Sequence, residues 1–301
     1  MNSLAKLKEI GKSVGNTPLI QIADKIYVKL ETYNPSGSIK DRLIYYLLHS
    51  ATNTGDLTEE SHLLEATSGN TGISLALFGA VLGLETTLIM PCNMSEERKI
   101  MMRNYGAKIL EVGPSDFSRA ISLRDEMCQE DERFWTPNQF SNTKNIHCHM
   151  MTTAPEIHTQ VGANWSAFVS GAGTGGTMMG VRRYLEKTSL NVSTVLMTPA
   201  ESAQCHGIQG VNDGEDFLLN KQLMTEEIAV STHDAIGRAM KLSRETGILA
   251  GISSGANVLA AERFVEQENP EGVVVTLICD RGERYMSIFK EYVPIQNWRP
   301  C

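Results

Sequence analysis

Short aliphatic runs and longer stretches with helical spacing take turns along this chain. Residues 25–31, 62–66, 86–90 and 108–112 are compact, apolar and β-branched enough to be strands. Residues 38–52, 71–82 and 95–105 place apolar side chains three and four apart, as helices with a buried face do. The order from 62 to 112 is therefore a βαβαβ run. The helix at 71–82 is apolar nearly all round yet far shorter than a membrane span, which predicts cover on several sides within a layered fold. A second series has strands at 165–170, 193–198 and 273–279 and helices at 177–186 and 234–246. Two units built on parallel sheets account for both series. No internal repeat or proline-rich linker divides them; polar residues gather between Pro137 and Thr153, which puts the boundary there.

Composition narrows the partners. A chain of 301 residues with 42% hydrophobic composition can bury a sizeable core, and a net charge of −8 without a basic run argues against nucleic acid or an anionic membrane surface. A small-molecule substrate fits better. The six cysteines, Cys92, Cys128, Cys148, Cys205, Cys279 and Cys301, are scattered without paired spacing, as free thiols in a reducing compartment are. The N-terminus lacks the apolar core of a signal peptide, so a soluble, cytoplasmic protein is expected. His147-Cys148-His149 and Cys205-His206 have neither the i, i+4 nor the C-x-x-C spacing of a zinc site, and no metal is expected. The Met101-Met102 and Met150-Met151 pairs read as adaptable packing.

Three strand-to-helix loops and one lysine carry the chemistry. Lys40 falls at the start of the helix at 38–52, in the stretch 34–42. The loop 65–72, Glu-Ala-Thr-Ser-Gly-Asn-Thr-Gly, sets hydroxyl and amide side chains at a helix N-terminus, which suits a carboxylate and equally suits ordinary capping. The loop 170–177, Ser-Gly-Ala-Gly-Thr-Gly-Gly-Thr, lets backbone amides close around a phosphate. Gly171, Gly173 and Gly176 also match the dinucleotide fingerprint, with Glu201 near the usual acidic position, so an NAD-dependent oxidoreductase is a rival. The mid-chain position and the threonines among the glycines favour a terminal monophosphate instead. The third loop, Gly-Ile-Ser-Ser-Gly-Ala at 251–256, is weak taken singly.

Together these stretches resemble the cysteine synthase family, pyridoxal 5'-phosphate enzymes of fold type II. The resemblance runs from Gly15-Asn16-Thr17-Pro18-Leu19 to Cys279-Asp280-Arg281-Gly282-Glu283-Arg284-Tyr285, with the motifs in order. The stretches 40–42, 90–98 and 279–282 resemble the B-type enzymes, and cystathionine β-synthases share the same loops. The resemblance implies an α/β fold of the tryptophan synthase β type, with two three-layer αβα domains on mostly parallel, twisted sheets. It assigns residues 36–145 to a smaller mobile domain and residues 1–35 with 146–301 to a larger one.

Carried over by position, Lys40 is similar to the lysine that forms a Schiff base with the cofactor and then acts as a base. Gly173, Thr174, Gly175, Gly176 and Thr177 resemble the phosphate cup, and Asn70 the partner of the ring hydroxyl. Ser253 resembles the partner of the pyridine nitrogen, ahead of Ser254. Thr67, Ser68, Asn70, Thr71 and Gln139 resemble the groups that grip the substrate α-carboxylate, and Met94-Ser95 lies where relatives have a mobile segment.

The implied reaction is a transferase's β-replacement on an activated serine, O-acetyl-L-serine, with sulfide to give L-cysteine. A cysteine or serine β-lyase, or a cystathionine-type synthase, is the neighbouring alternative, and a homodimer is implied by resemblance alone. The stretch 204–213 lacks the basic residues that B-type enzymes carry there, so the resemblance does not extend to thiosulfate as sulfur donor.

Overall fold

The computed structural model describes residues 3–67, 69–202, 207–212 and 217–292. Its strands are β1 (Leu19–Ala23), β2 (Ile26–Leu30), β3 (His62–Ala66), β4 (Thr86–Pro91), β5 (Lys108–Val112), β6 (Phe134–Trp135), β7 (Trp165–Gly171), β8 (Ser193–Pro199), β9 (Glu226–Val230) and β10 (Val273–Ile278). Its helices are α1 (Ser3–Gly11), α2 (Lys40–Thr54), α3 (Asn70–Leu82), α4 (Glu96–Asn104), α5 (Phe117–Glu130), α6 (Lys144–Met151), α7 (Thr153–Val161), α8 (Gly176–Thr188), α9 (Thr232–Thr246), α10 (Ile252–Glu268) and α11 (Met286–Tyr292).

The strands form two sheets, in the orders β1-β2-β10-β7-β8-β9 and β5-β4-β3-β6. Every pairing is parallel except β1 with β2, which is an antiparallel edge. Parallel strands must be covered on both faces. In the six-stranded sheet, Ala167, Val169 and Val274 face α9 and α10, while Phe168, Val275 and Leu277 face α7 and α8. In the smaller sheet, Leu63, Leu88 and Met90 share a core with α1, α2 and α3, and Leu64, Ala66 and Ile89 pack on Ala120 of α5. Both units are thus three-layered α/β sandwiches, and α3 is buried along most of its length, as its all-round apolar sequence requires.

Two differences from the sequence reading matter for the site. The helix expected from 38 begins at Lys40, because Ser38 is drawn into a bridge with Asp280. The polar stretch 137–153 contains α6, whose Asn145 and His149 are buried.

Candidate active site

No side chain caps the start of α2; Ile39 stands at the N-cap. The loop before it is held from outside instead. Ser36 donates from its N–H and its hydroxyl to Asp41 at 2.6 and 2.5 Å. Arg284 donates to the carbonyls of Gly37, at 2.8 Å, and Ser36. Gly37 has φ +83°, and a Cβ there would stand 2.9 Å from the Arg281 side chain, so glycine is needed on both counts. Two residues on, Arg42 is clamped by Glu31 at 2.6 Å and Glu156 at 2.7 Å, and Lys29 pairs with Glu156 at 2.9 Å. Burial pushes the Glu156 carboxyl upward, but the Arg42 and Lys29 cations outweigh it and hold the group at about 2.

Lys40 sits on this pinned turn, half-buried. Among the described residues its amine has neither hydrogen bond nor ion pair. Burial lowers its pKa, opposed by the nearby Cys279, Cys148 and Glu65. Burial pushes both thiols up to about 12, so at neutral pH they carry no charge; burial raises the Glu65 carboxyl as well, against the pull of the Arg124 guanidinium.

Glu65 ends β3 beneath the first loop. It is fully buried, pairs with Arg124 at 3.0 Å and accepts the N–H groups of Ala66, at 2.9 Å, and Gln139, at 3.2 Å. Thr67 takes the capping role: its Oγ1 accepts from the N–H groups of Gly69 and Gly72 at 3.1 and 3.2 Å, which leaves its own O–H to donate. Thr71 donates to Gln139 Oε1 at 2.7 Å, so the Gln139 NH₂ stays available as a donor. Asn70 donates to Asp280 Oδ2 at 2.7 Å, while its own buried Oδ1 has no partner among the described residues. Ser68 lies outside the described residues.

The glycine loop follows β7. Gly175 has φ +86°, and a Cβ on Gly173 would come within 2.5 Å of the Gly210 carbonyl. Thr174 accepts from Asn145 Nδ2 at 2.9 Å, and Thr177 faces His149 Nε2 at 3.2 Å. His149 is buried; that burial, with the positive charges of Lys40 and Arg42, holds its pKa well below the usual histidine range, so it is neutral.

At the third loop, Ser253 and Ser254 enter the first turn of α10. Ser254 Oγ accepts from the Cys279 N–H at 2.9 Å, whereas the Ser253 hydroxyl has no partner among the described residues. The three loops therefore meet around Lys40. Its electrostatic neighbours are Glu65 below the first loop, His149 behind the second and Cys279 beside the third.

Several residues of this constellation carried no signal in the sequence. Asn145 and His149 stand four apart on α6 and face α8, where a Cβ on Gly176 would lie 2.0 Å from Asn145 Oδ1 and one on Gly180 2.6 Å from His149 Cβ. The i, i+4 spacing of two polar residues opposite two glycines was the available clue. Asp280 joins Asn70 to Tyr285, whose hydroxyl donates to it at 2.6 Å. Arg98 stacks over the Tyr285 ring at 4.7 Å; it is 2% exposed and forms no hydrogen bond or ion pair among the described residues. No cluster of metal-binding side chains occurs among the described residues, and Cys205-His206 lies outside them.

Residues 10–280 match the family described as pyridoxal-phosphate dependent enzyme. The chain is 37% identical to cysteine synthase B of Escherichia coli K12, over 93% of this chain and 95% of that one. Its fold is similar to that of an O-acetylserine dependent cystathionine beta-synthase from Helicobacter pylori, with a TM-score of 0.87, 33% identity and coverage of 92% and 96% of the two chains. A hydrogen sulfide-producing enzyme from Fusobacterium nucleatum gives a TM-score of 0.85 and 34% identity, over 92% of this chain and 98% of that one. The chain belongs to the pyridoxal-phosphate-dependent enzyme family, and it is a fold type II member that works with pyridoxal 5'-phosphate. The dinucleotide fingerprint at Gly171, Gly173 and Gly176 is thus a coincidence of glycine spacing, and the NAD-dependent reading falls.

The residues fit that cofactor on their own terms. An amine on Lys40, a buried amide oxygen on Asn70 and a hydroxyl on Ser253 lack partners among the described residues in one site, beside a glycine loop whose Cβ positions would be obstructed. Buried polar groups without partners are costly, and an aldehyde-bearing, phosphorylated pyridine supplies a partner to each.

Proposed function

We propose that this enzyme catalyses β-replacement on O-acetyl-L-serine: the Cβ–O bond to acetate breaks, a Cβ–S bond to sulfide forms, and L-cysteine is released. The observation that carries the reading is the half-buried Lys40 amine, without hydrogen bond or ion pair among the described residues, at the meeting point of the three loops. Bound pyridoxal 5'-phosphate supplies an aldehyde that takes up amines and a ring that accepts electron density from the substrate α-carbon.

In this reading Gly173, Thr174, Gly175, Gly176 and Thr177 hold the phosphate, Asn70 the ring hydroxyl, and Ser253 the ring nitrogen. A hydroxyl at Ser253 cannot hold a proton on that nitrogen as a carboxylate would, which keeps the ring a modest electron sink and favours loss of a β-substituent. Thr67, Ser68, Asn70, Thr71 and Gln139 receive the α-carboxylate at the positive end of α3, with the Gln139 NH₂ turned outward by Thr71. Lys40 anchors the cofactor, then as the free amine takes the α-proton, and returns it at the end. Its lowered pKa raises the fraction present as neutral amine.

The division into a mobile part at 36–145 and a larger part at 1–35 with 146–301 is supported by the strands, since those of the smaller sheet all fall in the first range. A cytoplasmic homodimer completes the reading on family likeness, and no helix among the described residues is long and apolar enough to cross a membrane. The likeness to the Fusobacterium enzyme favours one second reading, a β-lyase that runs toward sulfide release.

The first test is colour. Wild type purified with the cofactor is expected to absorb visible light, and Lys40→Ala to lose that band and at least roughly a thousandfold in turnover. A colourless wild type would refute the reading. Faster turnover of cysteine to sulfide than of O-acetylserine to cysteine would select the lyase.

A further inference from the structure

Asn145 belongs to none of the loops, yet its carboxamide joins Thr174 of the glycine loop to Gln139, the residue that Thr71 of the first loop holds. It lies on α6, 1% exposed, and its Nδ2 donates to the Gln139 carbonyl at 3.0 Å and to Thr174 Oγ1 at 2.9 Å. The orientation is forced: a backbone carbonyl only accepts, so the NH₂ end must face Gln139. The Thr174 hydroxyl is therefore an acceptor toward Asn145, and it also accepts a long bond, 3.4 Å, from the Gly176 N–H. With both lone pairs engaged, its O–H is left to donate to a third group. The same amide fixes the backbone of Gln139, whose N–H goes to Glu65 and whose side chain is turned by Thr71.

We infer that Asn145 is a positioning residue with two effects: it makes Thr174 a donor to the cofactor phosphate, and it holds Gln139 in place for the substrate carboxylate. The inference rests on the phosphate-cup reading above. Asn145 is a dual donor, so its two replacements separate donation from packing. Asn145→Ala leaves the Thr174 hydroxyl free to rotate. Asn145→Asp is nearly isosteric, but as a carboxylate it would attract the Thr174 hydrogen away from the phosphate and repel both the phosphate and the Gln139 carbonyl.

The experiment measures cofactor dissociation from the holoenzyme by visible absorbance, and inorganic phosphate binding to the cofactor-free protein by ³¹P NMR, with melting temperatures to register folding. Cofactor Kd is expected to rise roughly tenfold in Asn145→Ala and roughly a hundredfold in Asn145→Asp, following the range for hydrogen bonds to charged groups. Phosphate binding should weaken in the same order, and KM for O-acetylserine should rise in both with a smaller change in kcat. Thr174→Val, which keeps Asn145, should match Asn145→Ala in Kd, and the double variant should be no worse than either.

Additive losses in the double variant, or Asn145→Asp holding the cofactor as tightly as wild type, would overturn the inference alone. Wild-type protein without affinity for inorganic phosphate would remove the cup reading and the inference together. If Asn145→Asp fails to fold, Thr174→Val decides: unchanged phosphate and cofactor binding there overturns the inference.

Discussion

The loop after β3 and the loop after β7 are built on one plan, a parallel strand running into a helix N-terminus, yet they are held in opposite ways. The glycine loop is locked by close packing. Its helix lies so near α6 that a Cβ on Gly176 would stand 2.0 Å from the Asn145 amide, and the next segment closes over Gly173 and Gly175. The carboxylate loop is held by side chains reaching across the site: Thr71 to Gln139, Asn70 to Asp280, and Arg98 lying behind Gly69. A resident cofactor calls for the first design, because preorganised donors bind a permanent phosphate without reordering. A substrate that comes and goes calls for the second, whose bonds can be exchanged for those of the ligand.

Substitutions that treat the loops alike should therefore give unequal results. The largest contrast is between the glycines. Gly176→Ala is expected to cost about 1–3 kcal/mol in stability and to release the cofactor, because the buried, doubly bonded Asn145 amide cannot move aside. Gly69→Ala meets the stem of Arg98 at 2.7 Å, a side chain without hydrogen bonds among the described residues, so melting should change less while KM for O-acetylserine rises. Equal destabilisation of both would erase the contrast. Denaturant titration of the two variants reads it directly.

Comparable in size is Glu65→Gln, which removes the buried partner of Arg124; roughly 3 kcal/mol of stability should be lost, with the carboxylate loop the first region to gain hydrogen exchange. Thr71→Val should follow, since it frees Gln139 to turn: KM is expected to rise about tenfold with cofactor Kd unchanged. A rise in Kd of similar size would mean that the two loops are not independently held.

The smallest effect concerns the anchor of Lys40. Glu156 is held at about 2 against an ordinary value of 4.5, so its contribution to stability is full above 4.5 and is lost as pH falls toward about 2. Glu156→Gln should flatten the acid limb of the stability curve across that window, measured by melting at successive pH values.

The same contrast explains what the sequence made legible. Strands such as β3, β4 and β10 and the apolar helix α3 were readable because both faces are buried and aliphatic residues cluster in them. The glycine loop was readable because positive φ and close approach leave only one residue type. By contrast, α5 buries only Ala120 and Arg124, too narrow a stripe for its period to show. In α6, Lys-Asn-Ile-His-Cys-His-Met-Met, Asn145 and His149 face a neighbouring helix instead of water, which inverts the usual cue. Ser253 was preferred to Ser254 by resemblance alone. Asn145 and Asp280 each reach a partner far along the chain, Thr174 and Asn70, which local spacing does not encode.

Rapid mixing tests the central claim most directly: holoenzyme is mixed with O-acetylserine, O-phosphoserine, serine and cysteine in turn, and the visible band is followed before and after sulfide is added. The account predicts that O-acetylserine shifts the band fastest, that sulfide restores it with release of one cysteine, and that Lys40→Ala does neither. A band that O-acetylserine leaves unchanged while cysteine shifts it and sulfide is released would contradict the synthesis assigned here.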